Sequence, residues 1–349
     1  MQHTPLRSLT DRPESWIALS DRGLLDPTLE PQGLLKSGLF VLEFALPLQG
    51  AALLLDHQAY DGWPRTFAIF HDLAAGLVIL HRQGKSVARH VLPGPLPQGS
   101  GMAGETGRLL FQFNAPARIW SLTLEIIGHS KNATPQRAFS HGTNPLPLQV
   151  ADLHAVCTQN RPDSPVLWFG LTCGSAPPLA TPWIGLRTPI ETSLGTIPAS
   201  HLKPGDILHT LDHGPRTLRT CHRITHPACG SFAPVLLRAP YFGLQQDLLV
   251  SANQLVAFSG AETEYLFAEE TVLIPAAALV DGRTVLLDHR RAVTDSISLD
   301  LGGPALIAAN GCILAVDEDA FGNSNHRRLQ TYEVTTLMSL LGRTPRRAA

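Results

Sequence analysis

Between residues 38 and 127 apolar and polar positions alternate with a period of two. Phe40, Leu42 and Phe44 alternate with Leu39, Val41 and Glu43. Leu109, Phe111 and Phe113 share one side of a later run, and Trp120, Leu122, Leu124 and Ile126 one side of the next. Such a pattern belongs to strands with one face on a core and the other toward water or a second layer. Turn-forming residues separate the runs. His71-Asp72 to Gly76 joins TFAIF to LVILH as a hairpin, and Asn114-Ala115-Pro116-Ala117 joins LLFQF to IWSLTLEII. Short strands at this spacing predict an antiparallel β-sandwich of jelly-roll or lectin-like type over residues 30–175. Residues 128–147, rich in Pro, Gly, Ser and Asn, read as a long loop. A short helical turn is expected around 148–156, and VLWFGLT as the last strand of the sandwich.

The run Ser175-Ala-Pro-Pro-Leu-Ala-Thr-Pro182 is a linker by composition. Beyond it, short strands again alternate with Gly, Pro and Asp turns: DILHTL, PVLLRA, DLLVSANQLVAF, TVLIPA and ALIAANGCILAV. No helical period lasts more than a turn or two until the end of the chain. There Val334, Leu337, Met338 and Leu341 fall at i, i+3, i+4 and i+7, with Gly342 following as a stop. The chain is therefore expected to be all-β: a sandwich, a second β domain over 183–319, and a short amphipathic helix within 324–342 that docks on the sheet as core. In pattern the first half resembles the concanavalin-like or laminin-G-like sandwiches.

Composition narrows the function classes. Charged residues make up 16% of the 349 and the net charge is −2, so no broad electrostatic footprint for nucleic acid is present. The basic cluster Arg343, Arg346 and Arg347 reads as a solvated end. The first residues carry no apolar run, hence no signal peptide or membrane span is expected there; the expectation is a cytoplasmic or non-classically exported protein. Five scattered cysteines give no disulfide framework and read as buried free thiols.

Three blocks of the second half carry a family resemblance. The first is an opening hairpin with Thr188, Ile190, Thr192, Gly195 and Pro198, followed by Leu202-Lys203-Pro204-Gly205-Asp206. The second is Leu248-Leu249-Val250-Ser251 entering a turn. The third is Leu273-Ile274-Pro275-Ala276 followed by Leu279-Val280. In these blocks the chain resembles the bacterial Hint domains, the self-cleaving modules of inteins and hedgehog proteins. The resemblance implies an acyl shift: a Cys or Ser opening the domain attacks the preceding carbonyl, a His polarises the scissile amide, and backbone donors hold the oxyanion. Carried over position by position, the opening nucleophile falls at Trp183, a His of the turn after Ser251 falls at Gln254, and a late His-bearing turn falls near Asn310-Gly311-Cys312. None of the three carries the reactive side chain. The expectation is a degenerate Hint domain that has lost autoprocessing and serves as a binding or structural scaffold. The alternative is an enzyme that cleaves itself near Thr181–Trp183. Cys173 and Cys312 are read as bystanders, Cys312 as a buried small residue.

Cys221-His222-x-x-x-His226-x-x-Cys229 has the letters of a zinc site, but on a strand His222 and His226 stand about 13 Å apart. They read as surface histidines, and no metal or cofactor is expected. Gly99-x-Gly101-x-x-Gly104 matches a dinucleotide fingerprint by letter, yet follows prolines and precedes a strand, so it reads as a loop. Asn132-Ala-Thr134 is a glycosylation sequence only in a compartment the chain shows no sign of entering. Asp56, His57, Asp61 and Trp63, with Tyr60, are placed on a loop between sandwich strands, where aromatics and carboxylates can bind sugars or calcium. A glycan or a protein is the partner this suggests, through a lectin-like surface.

Overall fold

The computed structural model describes residues 16–48, 50–94, 105–127, 137–159, 164–174, 181–316 and 326–341. The glycine-rich stretch 99–104, the Asn132 sequence, Gly342 and the Arg343–347 cluster lie outside the described residues. The chain divides into two compact units, Met1–Ala176 and Pro177–Ala349.

The first unit is built of two antiparallel sheets around one apolar core. Seven strands run in the order Arg137–Thr143, Ile119–Ile127, Thr106–Asn114, Ser37–Ala45, Val166–Thr172, Trp16–Leu19 and Gly23–Leu24. A four-stranded meander, Ala52–Tyr60, Pro64–Asp72, Gly76–Gln83 and Ser86–Leu92, forms the other sheet. Phe40, Leu42, Phe44, Phe111 and Phe113 of the first sheet pack with Phe67, Ile69, Leu77 and Ile79 of the second, and the rings of Phe40 and Phe67 meet edge-to-face at 5.4 Å. Both hairpins expected from the turn residues form, with Ile69 opposite Ile79 and Phe111 opposite Leu122.

The seven-stranded sheet is covered on its second face as well. Val41 and Glu43 are fully buried there, as is Arg108. Glu43 stands opposite Arg108, Arg108 opposite Glu125, and Glu125 opposite Arg137, a row of alternating charge across four strands. Trp168 lies beside it, its indole N–H donating to Glu43 at 2.6 Å.

The supposed loop 128–147 contains the edge strand Arg137–Thr143, paired along Ile119–Glu125. Its sequence, RAFSHGT, has no hydrophobic period because an edge strand of this kind meets solvent along much of its length. Its neighbour fixes it: Gly142 lies over Trp120, where a Cβ would come within 2.7 Å of the ring. The short helix is present as α1, Val150–Thr158. Asp152 of α1 accepts from the Arg65 Nε at 2.9 Å and meets His57 at 3.2 Å, tying the helix to the four-stranded sheet.

The second unit is also antiparallel β. Six strands run in the order Thr220–Pro227, Val293–Asp300, Ile184–Gly185, Leu248–Val250, Val235–Leu237 and Val285–Leu287. A nine-stranded sheet begins with the hairpin Gly195–Pro198 and Pro189–Thr192 and continues through Ile207–Thr210, Ala305–Ala309, Cys312–Val316, Leu255–Ser259 and Thr271–Pro275. Gly214–Thr217 flanks Ile207–Thr210, and Arg327–Arg328 adds a parallel edge. Residues of both sheets share a single core with α3, Thr331–Leu340. As its spacing predicts, α3 buries Val334, Leu337 and Met338. A reciprocal cap between Gln330 and Glu333 satisfies donors at its start.

The Lys203-Pro204-Gly205-Asp206 turn shows why its residues are what they are. Gly205 sits at φ +100, a conformation that a Cβ disfavours. The Asp206 carboxylate accepts from the Lys203 N–H at 2.8 Å and closes the turn before the next strand.

Candidate functional site

The short strand Ile184–Gly185 lies between Leu248–Val250 and Val293–Asp300, with Ile184 opposite both Val250 and Ile297. This central placement carries Trp183 into the interior, where it is 4% exposed. The peptide bond between Pro182 and Trp183 is held from both sides. Ser298 donates from its hydroxyl to the Pro182 carbonyl at 3.0 Å, and the Trp183 N–H donates to the Ser251 hydroxyl at 3.1 Å. The Ser251 N–H in turn donates to the Trp183 carbonyl at 2.9 Å.

The indole lies face to face with His226, ring centroids 5.2 Å apart at 14°, and His226 stacks in turn on Phe232 at 5.7 Å. His226 is therefore a buried member of an aromatic stack, 2% exposed. That corrects the reading of both histidines as surface residues. His222, four residues earlier on the same strand Thr220–Pro227, is exposed. The difference arises because the strand's far end passes under Trp183 and Phe232. Among the described residues no group of three or more His, Cys, Asp or Glu is placed to hold a metal ion.

Gln254 is almost fully buried near the same peptide. Its side-chain amide donates to the Ala315 carbonyl at 2.6 Å and to the Leu255 carbonyl at 3.1 Å. The void beside it, bounded by Trp183, Gln254, Ile297 and Val316, measures about 10 Å³, room for no more than one water. Asn310 stands apart from this void. It forms the tight turn between Ala305–Ala309 and Cys312–Val316 with φ 56, followed by Gly311 at φ 87. Its side chain donates to the Gln246 carbonyl at 2.6 Å, so its work is to shape a hairpin. Of the three positions taken from the resemblance, Trp183 and Gln254 line one cleft and Asn310 does not.

The chemistry available is one-sided. A hydroxyl donor polarises the Pro182 carbonyl, and an acceptor orients the following N–H. Residue 183 itself carries neither thiol nor hydroxyl, and a carboxamide at Gln254 has no proton to give a leaving nitrogen. No disulfide joins the five cysteines; Cys157 and Cys312 are buried, whereas Cys173, Cys221 and Cys229 are only half-buried, which corrects the expectation of buried thiols, and desolvation pushes the Cys312 thiol up to about 12. Ser298 and His226 were not legible in the sequence: the first sits among alternating serines of an ordinary strand, and the second finds Trp183 only after the sheet has formed.

In the first unit, Asp56 and His57 lie within the strand Ala52–Tyr60 rather than on a loop, and Asp61 and Trp63 belong to the tight turn after it. His57 is engaged with Asp152, and Asp56 accepts from Gln58 at 3.3 Å. Trp63 leans over Arg65 at 5.9 Å and against Gly84. Among the described residues, no helix is long and apolar enough to cross a membrane.

Comparison with known families finds that residues 186–314 match the family model described as Hint domain. The match starts just after Trp183. Among curated proteins no match is found.

Proposed function

With residues 186–314 as a Hint domain, we propose that this chain has lost autoprocessing and works as a binding or structural protein, the sandwich serving as its recognition part. The observation that carries this reading is the indole at residue 183, packed between the clamped peptide and His226 where an attacking side chain is needed. Ser251 and Ser298 hold the Pro182–Trp183 peptide from both sides, while Gln254 is spent on two backbone carbonyls. Hydrogen bonds to a ground-state carbonyl do not break an amide without a nucleophile and a proton donor. The test is the intact mass of the expressed chain after prolonged incubation at neutral pH. One species near 37.7 kDa is expected; two fragments of roughly half that mass, ending and starting near Trp183, would establish the autoprocessing alternative.

A second reading concerns the sandwich. Tyr60 is 78% exposed at the tip that also carries Trp63, and two aromatic faces on one hairpin suit a sugar ring. His57 and Asp56, being engaged within the sheet, are support rather than contact residues in this reading. Glycan-array binding lost on Tyr60→Ala and Trp63→Ala supports it; an array without signal removes it.

A further inference from the structure

The second unit contains another, larger cavity whose lining shares no residue with the void at Trp183. Its volume is about 350 Å³. Phe242 and Phe258, edge-to-face at 5.9 Å, form an aromatic wall; Leu337 and Leu341 of α3 contribute an aliphatic one. The pocket is partly open to solvent, and 350 Å³ falls in the range of small-molecule sites.

Two further features set this cavity apart from a packing fault. Phe242 adopts φ 60, ψ 24, a left-handed conformation that a bulky L-residue rarely takes. Strain of this sort gathers at ligand clamps and is retained when the surroundings enforce it. Here the enforcement is close backbone contact: a Cβ on Gly311 would stand 2.2 Å from the Gly243 carbonyl, so the two turns that border the cavity interlock. The second feature is charge. Among the described residues that line the cavity, Glu262, at the start of α2 (Ala261–Phe267), is the one acid, and no base is present. The neighbouring hydroxyls are already engaged, Ser259 with Thr271 at 2.8 Å and Thr263 with the Gly260 carbonyl at 2.7 Å. Cys312, also lining the cavity, stays a neutral thiol because it is buried.

We propose that this cavity binds a small cationic amphiphile, an amine whose apolar body fills the space between Phe242, Phe258 and α3 and whose ammonium group pairs with Glu262. Size and the aromatic and aliphatic walls select the body; the one carboxylate among the described lining residues selects the head. This site stands independently of whether the domain cleaves itself.

The test uses the full chain with labelled Val and Leu methyl groups, titrated with 4-phenylbutylamine and with 4-phenylbutan-1-ol, which has the same shape and no charge. The expected result is saturable shifts at Val256, Leu337 and Leu341, with the amine binding about two- to fivefold more tightly than the alcohol, as befits a partly exposed ion pair. Glu262→Gln should keep binding but erase the preference. Leu341→Trp, which fills the space from the helix end, should abolish binding of both while leaving the melting temperature near that of the wild type. Absence of shifts at these methyls up to millimolar ligand overturns the proposal. So does equal affinity for amine and alcohol in the wild-type chain, or a preference that survives Glu262→Gln.

Discussion

His90 and His81 point into the sandwich, and burial gives the first unit an acid sensitivity that can be worked out in advance. His90 lies between Phe111 and Trp120, ring centroids 4.8 and 4.7 Å away, and among the described residues neither of its nitrogens has a hydrogen-bond partner. His81 sits edge-on to Phe67 at 5.5 Å. Desolvation pushes both imidazoles down to about 4; at His81 the positive charge of a protonated His90 adds to this and Asp152 opposes it. In the unfolded chain both return to about 6.5. Above that pH they are neutral in either state and do not affect folding. As pH falls below 6.5 the unfolded chain takes up protons that the native one refuses, so stability is lost until about pH 4, where the native imidazoles protonate too. Each pH unit in this window costs about 1.4 kcal/mol per histidine. Between pH 6.5 and 5, above the range where carboxylates dominate, the pair should cost on the order of 4 kcal/mol, a large share of a typical domain's stability. The assay is urea unfolding at half-unit pH steps, with fluorescence following the tryptophans, in wild type and in His90→Phe. A phenyl ring suits the site between Phe111 and Trp120, so the variant should unfold with about half the wild-type dependence on pH. Identical slopes in the two proteins would refute the reasoning, because the imidazole would then not be the group that resists protonation.

Other expectations follow from single contacts. Asp152→Ala strands the Arg65 guanidinium, 6% exposed, and should destabilise the first unit by about 3–5 kcal/mol in the same urea assay. Gly311→Ala forces a Cβ into the Gly243 carbonyl at a left-handed position and should cost more than about 2 kcal/mol, read as a drop in the second unit's melting temperature. Cys312 should not react with a disulfide reagent at neutral pH until the chain is unfolded, since its thiol titrates near 12; fast native-state labelling of that residue by mass spectrometry would contradict its burial. Trp183→Cys alone should stay intact, whereas Trp183→Cys with Gln254→His should release a fragment on adding a thiol, as denaturing electrophoresis would show.

Much of the strand content was legible because a buried face imposes period two on the sequence: Leu109, Phe111 and Phe113 name their own strand, as do Val334, Leu337 and Met338 their helix. The Lys203–Asp206 turn was legible for a different reason, its Gly and Asp being required by backbone geometry. The edge strand Arg137–Thr143 was hidden because exposure erases the pattern, and its pairing with Ile119–Ile127 is non-local information. At the site, the resemblance located Trp183 and Gln254 but put Asn310 beside them, although its turn is a separate hairpin. The serine clamp and the stack on His226 join residues from distant strands, and neither leaves a local signature.

The charged row in the seven-stranded sheet has a consequence for how that sheet assembles. Shifting one strand by two residues against its neighbour preserves the alternation of Phe, Leu and Val, so greasy contacts alone discriminate poorly between such arrangements. Moving Thr106–Asn114 by two would place Arg108 opposite Val41 or Ala45 instead of Glu43. A guanidinium sealed away without its carboxylates is among the costliest errors a core can contain. Misaligned versions of the sheet are thereby penalised from inside, and strands that would otherwise stick out of step, within one molecule or between two, are driven to separate and try again.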